Sequence, residues 1–184
     1  MKELKLGIWQ TNWCMVVIEQ NILSKIDLYV GNIEMPKGFE IDREVLKKDI
    51  LTHIIQDCPF PFSREHDKLN TYLREHIFLD YKFTLINKLS TGYMFKPNES
   101  NFPDSDNNKI DLRNSPDYVM LYGVDVSNCQ IRIYYDDNRR AGRSWDLPLE
   151  NNKFILFPST LIYHIKNNQK EKLNFILKTT YEYI

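Results

Sequence analysis

The sequence is poor in cysteine and lacks a long hydrophobic run. Its three cysteines, Cys14, Cys58 and Cys129, are widely spaced among 184 residues, so they form neither a complete disulfide set nor a Cys-x-x-Cys metal or redox motif. No run approaches the ~18 apolar residues of a membrane span. Polar residues interrupt the apolar patch at the N-terminus, which argues against a signal peptide. We therefore expect a soluble, unexported protein in a reducing cytoplasm.

The sequence also lacks an excess of charge of either sign. It has 24 basic and 25 acidic residues, for a formal net charge of -1, and this balance gives no strong signal for binding to nucleic acid or to an anionic membrane. The Gly-x-Ser-x-Gly motif is absent, so serine hydrolysis has no support. The P-loop, His-Glu-x-x-His and Rossmann signatures are absent too.

Hydrophobic and aromatic residues, in contrast, are plentiful. They make up 42% and 13% of the chain, with 11 Tyr and 10 Phe, which favours strands packed face to face over a helical bundle. The length fits one domain, residues 1–184, with an N-terminal strand and helix region (1–78) and a β core (79–184). Seven strand-length runs in the core predict a sandwich, jelly roll or barrel: YKFTLINKLS, GYMFK, DYVMLYGVDV, CQIRIYYDD, NKFILFPST, LIYHIKN and KLNFILKTTYEYI.

Two amphipathic helices are predicted in the N-terminal region. The first spans 42–57 with Asp42 as its N-cap, and its apolar residues recur at helical spacing: Val45, Leu46, Ile50, Leu51, Ile54 and Ile55. The run CPFPF ends it, because proline lacks the donor that a helix needs. The second begins after Ser63 and ends near Phe78, with one apolar face: Leu69, Tyr72, Leu73 and Ile77. Residues 4–31 indicate one or two strands and a short helix at 20–26.

The C-terminal block resembles a known family. Residues 152–165 (NKFILFPSTLIYHI) and 167–177 (NNQKEKLNFIL) resemble the last strands of 2-oxoglutarate and iron(II)-dependent oxygenases of the prolyl-hydroxylase-like type, of the kind found in cyanobacterial phages. The resemblance extends from 117 in weaker form and covers about a third of the chain. It implies an α+β, mainly β fold, namely a double-stranded β-helix (jelly roll, cupin-like) with two N-terminal helices.

The resemblance also implies a site. In the family a strand ends in Phe-Pro-Ser, a distal His binds iron(II), and about ten residues later an Arg pairs with the 2-oxoglutarate carboxylate. His164 would be the distal ligand, Lys172 would stand in place of the Arg, and Tyr122 would line the cosubstrate cavity. Lysine offers only a point charge where arginine offers a planar fork. The alternative interpretations are a strand-end histidine bonded to backbone or water, a solvated lysine and a packed core tyrosine.

The remaining ligands depart from the family pattern. A non-heme iron site needs two histidines and one carboxylate, and the family supplies two of these from a His-x-Asp pair that this chain lacks. The polar insert at 96–117 contains acids but no histidine, so Asp104 and Asp106 are the candidates to complete a reduced metal set with His164. Ligands that supply only oxygen suit calcium or magnesium better than iron(II).

One further segment has potential for recognition. Residues 136–146 contain Arg139, Arg140, Arg143 and Trp145. Arginine binds phosphate or carboxylate with two hydrogen bonds, and tryptophan offers a stacking face. Nearby aspartates neutralise part of this charge, so a charged hairpin or a subunit contact is the alternative.

Two functions of different class follow. The first is an oxygenase that would use iron(II) and 2-oxoglutarate to hydroxylate a protein or nucleobase. The second is a noncatalytic binding or virion-associated module that has lost the metal site and uses the 136–146 hairpin. The predicted partner is an unidentified substrate or protein, with a homo-oligomer as an open alternative.

Overall fold

The computed structural model describes residues 16–17, 28–32, 40–82, 84–107, 110–136 and 143–184. Two helices, α1 (Arg43–Gln56) and α2 (Arg64–Tyr81), precede most of the strands, and a short 3-10 helix spans Leu112–Asn114. The strands are β1 (Val16–Val17), β2 (Tyr29–Asn32), β3 (Leu85–Phe95), β4 (Tyr118–Asp125), β5 (Cys129–Asp136), β6 (Arg143–Leu149), β7 (Lys153–Pro158), β8 (Ile162–Asn167) and β9 (Asn174–Tyr183). None of the helices described is long and apolar enough to cross a bilayer.

The strands form two antiparallel sheets. The larger has six strands in the order β1-β2-β7-β4-β9-β3, and the smaller has three in the order β6-β5-β8. Neighbours in the larger sheet are distant in sequence, as when β3 pairs with β9 along Leu85–Tyr183 to Phe95–Asn174. This roll of two sheets with two helices confirms the predicted α+β, mainly β class.

Side chains of the larger sheet alternate between two cores, because successive residues of a strand point to opposite faces. One core lies between this sheet and the helices. The other lies between the two sheets and forms the interior of the roll. In β9, Leu177 belongs to the first core and Ile176 to the second. This alternation determines which polar side chains reach the roll interior.

The helix starts agree with the prediction. The Asp42 carboxylate accepts hydrogen bonds from the main-chain N–H groups of Glu44 (3.0 Å) and Val45 (3.4 Å), and Ser63 Oγ accepts one from His66 N–H (3.2 Å). The apolar face of α2 is buried as predicted. That of α1 is shorter than predicted, since Ile54 and Ile55 are 39% and 77% exposed. The helix ends at Gln56, and its C-cap residue Asp57 is left-handed, with φ 48°.

The strand boundaries differ from the prediction in two places. The runs at 81–90 and 92–96 were predicted as two strands, but they form one strand, β3, that continues through Gly92. A Cβ at this position would lie 2.9 Å from two side-chain atoms of Ile50, so the glycine lets α1 approach the sheet. The second difference is β6, which the pattern did not predict as a strand. The helix predicted at 20–26 lies outside the described residues.

The polar insert is attached to the free side of β8. Asp104 and Tyr163 exchange main-chain hydrogen bonds of 3.1 and 3.0 Å, and Asn101 N–H donates to Ile165 O at 3.3 Å. Asp106 N–H donates to Ser159 O at 3.2 Å. These bonds extend the smaller sheet by a short irregular strand and direct Asp106 toward the roll.

Candidate functional site

The structure does not bring the predicted metal ligands together. His164 and Tyr163 are consecutive residues of β8, so their side chains lie on opposite faces of the smaller sheet. Tyr163 belongs to the interior core, and its hydroxyl donates to Asp106 Oδ2 at 2.7 Å. His164 is half-buried on the outer face. Asp104 is exposed, and its carboxylate accepts from the N–H of the next residue. The prediction that His164, Asp104 and Asp106 share a metal is corrected by this alternation.

The neighbours of His164 account for its hydrogen bonding and its pKa. Its Nδ1 lies 3.2 Å from the Tyr134 hydroxyl, and it pairs across the sheet with Arg132. Arg132 in turn donates two hydrogen bonds to Asp146, of 2.5 and 2.8 Å. Burial and the Arg132 guanidinium lower the pKa of His164 below its usual value, and Asp146 opposes this only in part. The ring is therefore a polar member of the outer face.

The predicted cosubstrate residues also lie apart. Lys172 is exposed just before β9, and its main-chain oxygen accepts from Asn167 Nδ2 at 2.9 Å. Tyr122 is fully buried in the core beneath the helices, on the opposite side of the larger sheet from the roll interior. Its hydroxyl donates to Asn152 Oδ1 at 2.8 Å. These two residues do not form a cosubstrate site.

The structure reveals a different polar group inside the roll. Lys178 lies in β9, two residues after the interior Ile176, and its side chain is only 11% exposed. Its ammonium forms an ion pair with Asp106 Oδ1 and lies 5.4 Å from the centre of the Tyr93 ring. Asp106 is 16% exposed, and its second oxygen accepts from Tyr163. Lys178, Asp106, Tyr163 and Tyr93 are named the interior ion-pair cluster.

Electrostatics keep this cluster charged. Burial lowers the pKa of Lys178, but Tyr93 and the Asp106 carboxylate outweigh that effect, and the net shift is upward. The pKa of the Tyr163 hydroxyl rises strongly, through burial and then through the negative charge of Asp106. Lys178 is thus a stable cation and Tyr163 a stable hydrogen-bond donor at neutral pH. The Lys178 ammonium places a positive charge beside the Asp106 carboxylate, and the Tyr163 hydroxyl donates a hydrogen bond to it.

The donor atoms of this cluster do not fit iron(II). Iron sites that activate oxygen take two imidazoles and a carboxylate, whereas here a carboxylate is held by an ammonium and a phenol. Among the residues that the structure describes, no three His, Cys, Asp or Glu side chains form a group that could hold a metal ion. An ammonium beside the single carboxylate would also repel a cation. Lys178 and Tyr163 are suited to binding an anion, and the anion that they bind is the carboxylate of Asp106.

The predicted recognition hairpin is described in part. Arg139 and Arg140 lie outside the described residues, and Arg143 is exposed at the start of β6. Trp145 is half-buried and stacks on Tyr135, with ring centroids 4.2 Å apart and planes inclined by 24°. Trp145 shares a cross-strand partner in β5 with Tyr163, so the stacked pair borders the roll interior.

Comparison with solved structures places this architecture among known ones. AviO1 from Streptomyces viridochromogenes Tue57 superposes with a TM-score of 0.60 at 12% identity, covering 84% of this chain and 89% of that one. A prolyl-4-hydroxylase from Pseudomonas putida gives 0.59 at 11%, covering 84% and 87%. The viral collagen prolyl hydroxylase of Paramecium Bursaria Chlorella virus-1, in its 2OG complex, gives 0.54 at 12%, covering 76% and 87%.

The chain has an oxygenase-like fold of the prolyl-hydroxylase type. This confirms the fold that the C-terminal resemblance implied. No protein-family model and no curated protein sequence matches the chain. At 11–12% identity these structures establish the fold alone, so function has to be argued from the side chains of this chain.

The interior ion-pair cluster was missed from sequence, although the chain carries a signal for it. In the run NFILKTTYEY, Lys178 directly follows the apolar residues 175–177, and a lysine within a buried strand requires a partner. Counting by twos from Ile165 along β8 identifies Tyr163 as the interior residue and His164 as the outer one.

Proposed function

We propose that this protein is a noncatalytic binding module built on the oxygenase-like fold. The observation that supports it is the interior ion-pair cluster. Iron chemistry requires imidazole ligands, whereas this cluster presents an ammonium, two phenols and one carboxylate already paired with the ammonium. The hydroxylation of a protein or nucleobase, and a viral source, rest on the sequence resemblance and stay predictions.

The proposed binding surface is the end of the β5–β6 hairpin with Arg139, Arg140, Arg143 and Trp145. The stacked Trp145 and Tyr135 rings form a rigid aromatic face beside this end. Arginine together with such a face suits a ligand that has an anionic group and a flat apolar part. Asp146 is bound by Arg132.

Anaerobic titration with iron(II) and 2-oxoglutarate tests the proposal against the oxygenase hypothesis. We expect no visible charge-transfer band and no thermal shift beyond that of a buffer control, because the described residues of the interior core include no imidazole and Lys178 places an ammonium there. The His164→Ala variant should behave as the wild type does, since His164 lies on the outer face. A band in the wild type that His164→Ala abolishes would establish the oxygenase hypothesis instead.

A further inference from the structure

The insert that carries Asp106 is held to β8 along its length. Main-chain bonds join Asp104 to Tyr163, Asn101 to Ile165 and Glu99 to Asn167. The Asn101 side chain adds a bond from Ile165 N–H of 2.6 Å. Residues 99–106 therefore run beside β8 as far as the interior ion-pair cluster, and Asp106 is the residue at which the segment reaches into the roll.

The carboxylate of Asp106 is bound as a protein binds a free carboxylate ligand. One oxygen pairs with the Lys178 ammonium and the other accepts from the Tyr163 hydroxyl. The ammonium is held in turn against the face of Tyr93. Charge-assisted hydrogen bonds to both oxygens are the usual means of recognising this group. All of the binding atoms belong to the β strands of the roll, and only the carboxylate comes from the insert.

We propose that Asp106 is an intramolecular ligand, whose carboxylate occupies a small-carboxylate site formed by Lys178, Tyr163 and Tyr93 and so latches the insert onto the roll. The inference deepens the proposed noncatalytic function and rests on it, because the cluster binds an anion in place of a metal. A small monocarboxylate enters this site only when the latch is released.

Asp106→Ala tests the latch by removing the carboxylate and leaving a space of formate size. In the variant, the Lys178 ammonium has lost its partner inside the roll, and such a charge is costly to keep buried. Formate should restore the pairing. We expect the thermal midpoint of Asp106→Ala to rise saturably with formate in the millimolar range, while the wild type responds no more than it does to chloride at equal ionic strength.

Two controls make the result specific. Asp106→Ala combined with Lys178→Met removes the cation, so its response to formate should fall to that of chloride. Acetate, which is larger by a methyl group, should stabilise Asp106→Gly better than Asp106→Ala. If Asp106→Ala does not purify in folded form, its refolding yield from urea with formate or with chloride gives the same comparison.

Equal responses of the wild type and Asp106→Ala to formate would overturn the inference. So would a formate effect that survives in the double variant. All of these measurements are made in buffer that contains a metal chelator, so iron(II) does not affect them. Failure of the latch is thus separate from failure of the noncatalytic proposal, which the anaerobic titration decides.

Discussion

His66 is buried in a polar network between α2 and the larger sheet. It is 1% exposed, and its Nε2 lies 2.9 Å from both Asn70 Nδ2 and Ser90 Oγ. Asn70 is oriented by two other bonds, since its amide donates to His66 O (3.0 Å) and its oxygen accepts from the Tyr181 hydroxyl (2.8 Å). The amide N–H therefore points at Nε2, which must accept and carry no proton. The network fixes a neutral imidazole with its proton on Nδ1.

Protonation of His66 would place an N–H against the Asn70 amide. Burial lowers the pKa of His66, while the carboxylates of Asp49 on α1 and Asp67 on α2 oppose this only in part. Both Nδ1 of His66 and Oδ2 of Asp49 are buried without a hydrogen-bond partner. The folded state thus binds a proton at His66 more weakly than the unfolded chain, whose histidine has a pKa of about 6.5.

This difference predicts a dependence of stability on pH. The stabilising contribution of neutral His66 is complete above about pH 6.5 and is lost as the pH falls from there through the lowered folded pKa, because the unfolded state takes up the proton first. One such group changes the unfolding free energy by at most about 1.4 kcal/mol per pH unit. We expect His66→Gln to flatten the decline in urea midpoint between pH 7 and pH 5.

The matched control is His164→Gln, which alters a histidine that is only half-buried on the outer face. Its pKa is also lowered, so it should remove a smaller part of the slope. A larger effect of His164→Gln than of His66→Gln would contradict the assignment. Absolute stability is not the measure, since either substitution also changes packing.

The interior ion pair gives a second prediction at single residues. Lys178→Ala leaves the Asp106 carboxylate partly buried beside Tyr163 without its counter-ion. Removing one partner of such a pair costs about 3–5 kcal/mol. We expect a lower denaturant midpoint with an unchanged m-value. Lys172→Ala, which removes an exposed lysine, should leave the midpoint within about 0.5 kcal/mol of the wild type; equal losses in the two variants would contradict the burial argument.

The difficulty of predicting the site from sequence has a physical origin. His164 was predicted as a ligand because the resemblance of residues 152–177 to the oxygenase family implies a distal histidine there. A shift of one residue along a strand, however, exchanges the two faces of a sheet. His164 and Tyr163 differ by that one step. Lys172 was predicted from its distance in sequence from His164. The buried cation is instead Lys178, because its side chain lies on the face of β9 that points into the roll.

Among the elements, those with local signals were predictable and those set by neighbours were not. Both helices carry a capping residue and an apolar face, and each begins where these signals indicate. β6 is an edge strand with Pro148 inside it. Proline is tolerated there because one side of an edge strand needs no donor, but its presence removes the sequence signal.

The turn near the end of β4 depends on Gly123. A Cβ there would overlap the main-chain oxygen of Glu150 and lie 2.8 Å from the Val126 side chain. The first contact is with backbone, which cannot move without disturbing the bond from Asn152 N–H to Gly123 O (3.0 Å). Overpacking of this kind costs about 1–3 kcal/mol.

We therefore expect Gly123→Ala to lower the free energy of unfolding by at least about 2 kcal/mol in urea denaturation. Gly92→Ala is the comparison, because its nearest contacts at 2.9 Å are side-chain atoms of Ile50. Ile50→Ala removes both Cγ atoms that the new Cβ would meet. In the Ile50→Ala background, the added cost of Gly92→Ala should therefore fall, while the added cost of Gly123→Ala should stay the same. Relief at both glycines, or a smaller cost at Gly123 than at Gly92, would show that the backbone contact is not the cause.

For the whole molecule, the seven strand-length runs predicted a sandwich, jelly roll or barrel, and the family resemblance implied a jelly roll. Neither predicted how the strands are ordered. The order of the larger sheet joins β3 to β9 and β2 to β7, and such pairings depend on contacts between residues far apart in the chain. Asn167 makes several of these connections. It is fully buried, and its side-chain amide donates to the main-chain oxygens of Phe95 (3.1 Å), Lys96 (3.0 Å) and Lys172 (2.9 Å).

Asn167 thus ties the end of β3, the start of the insert and the approach to β9 to the smaller sheet. Asn167→Ala removes the donor from one buried carbonyl, that of Phe95, and from two part-buried ones. A buried carbonyl left without a donor costs about 1–3 kcal/mol. We expect a loss of about 3 kcal/mol, which corresponds to a fall of roughly 6–12 °C in the thermal midpoint for a chain of this size. Because both sheets depend on the residue, calorimetry should show a single transition that moves as a whole.

Asn168→Ala is the matched control, since Asn168 bonds Asn128 through its main chain, with its N–H donating at 3.1 Å and its carbonyl accepting at 3.3 Å. Those bonds survive truncation of the side chain, so its midpoint should fall by less than about 2 °C. Two separated transitions in Asn167→Ala would mean that the sheets unfold independently. Equal shifts in the two variants would mean that the amide of Asn167 does not join them.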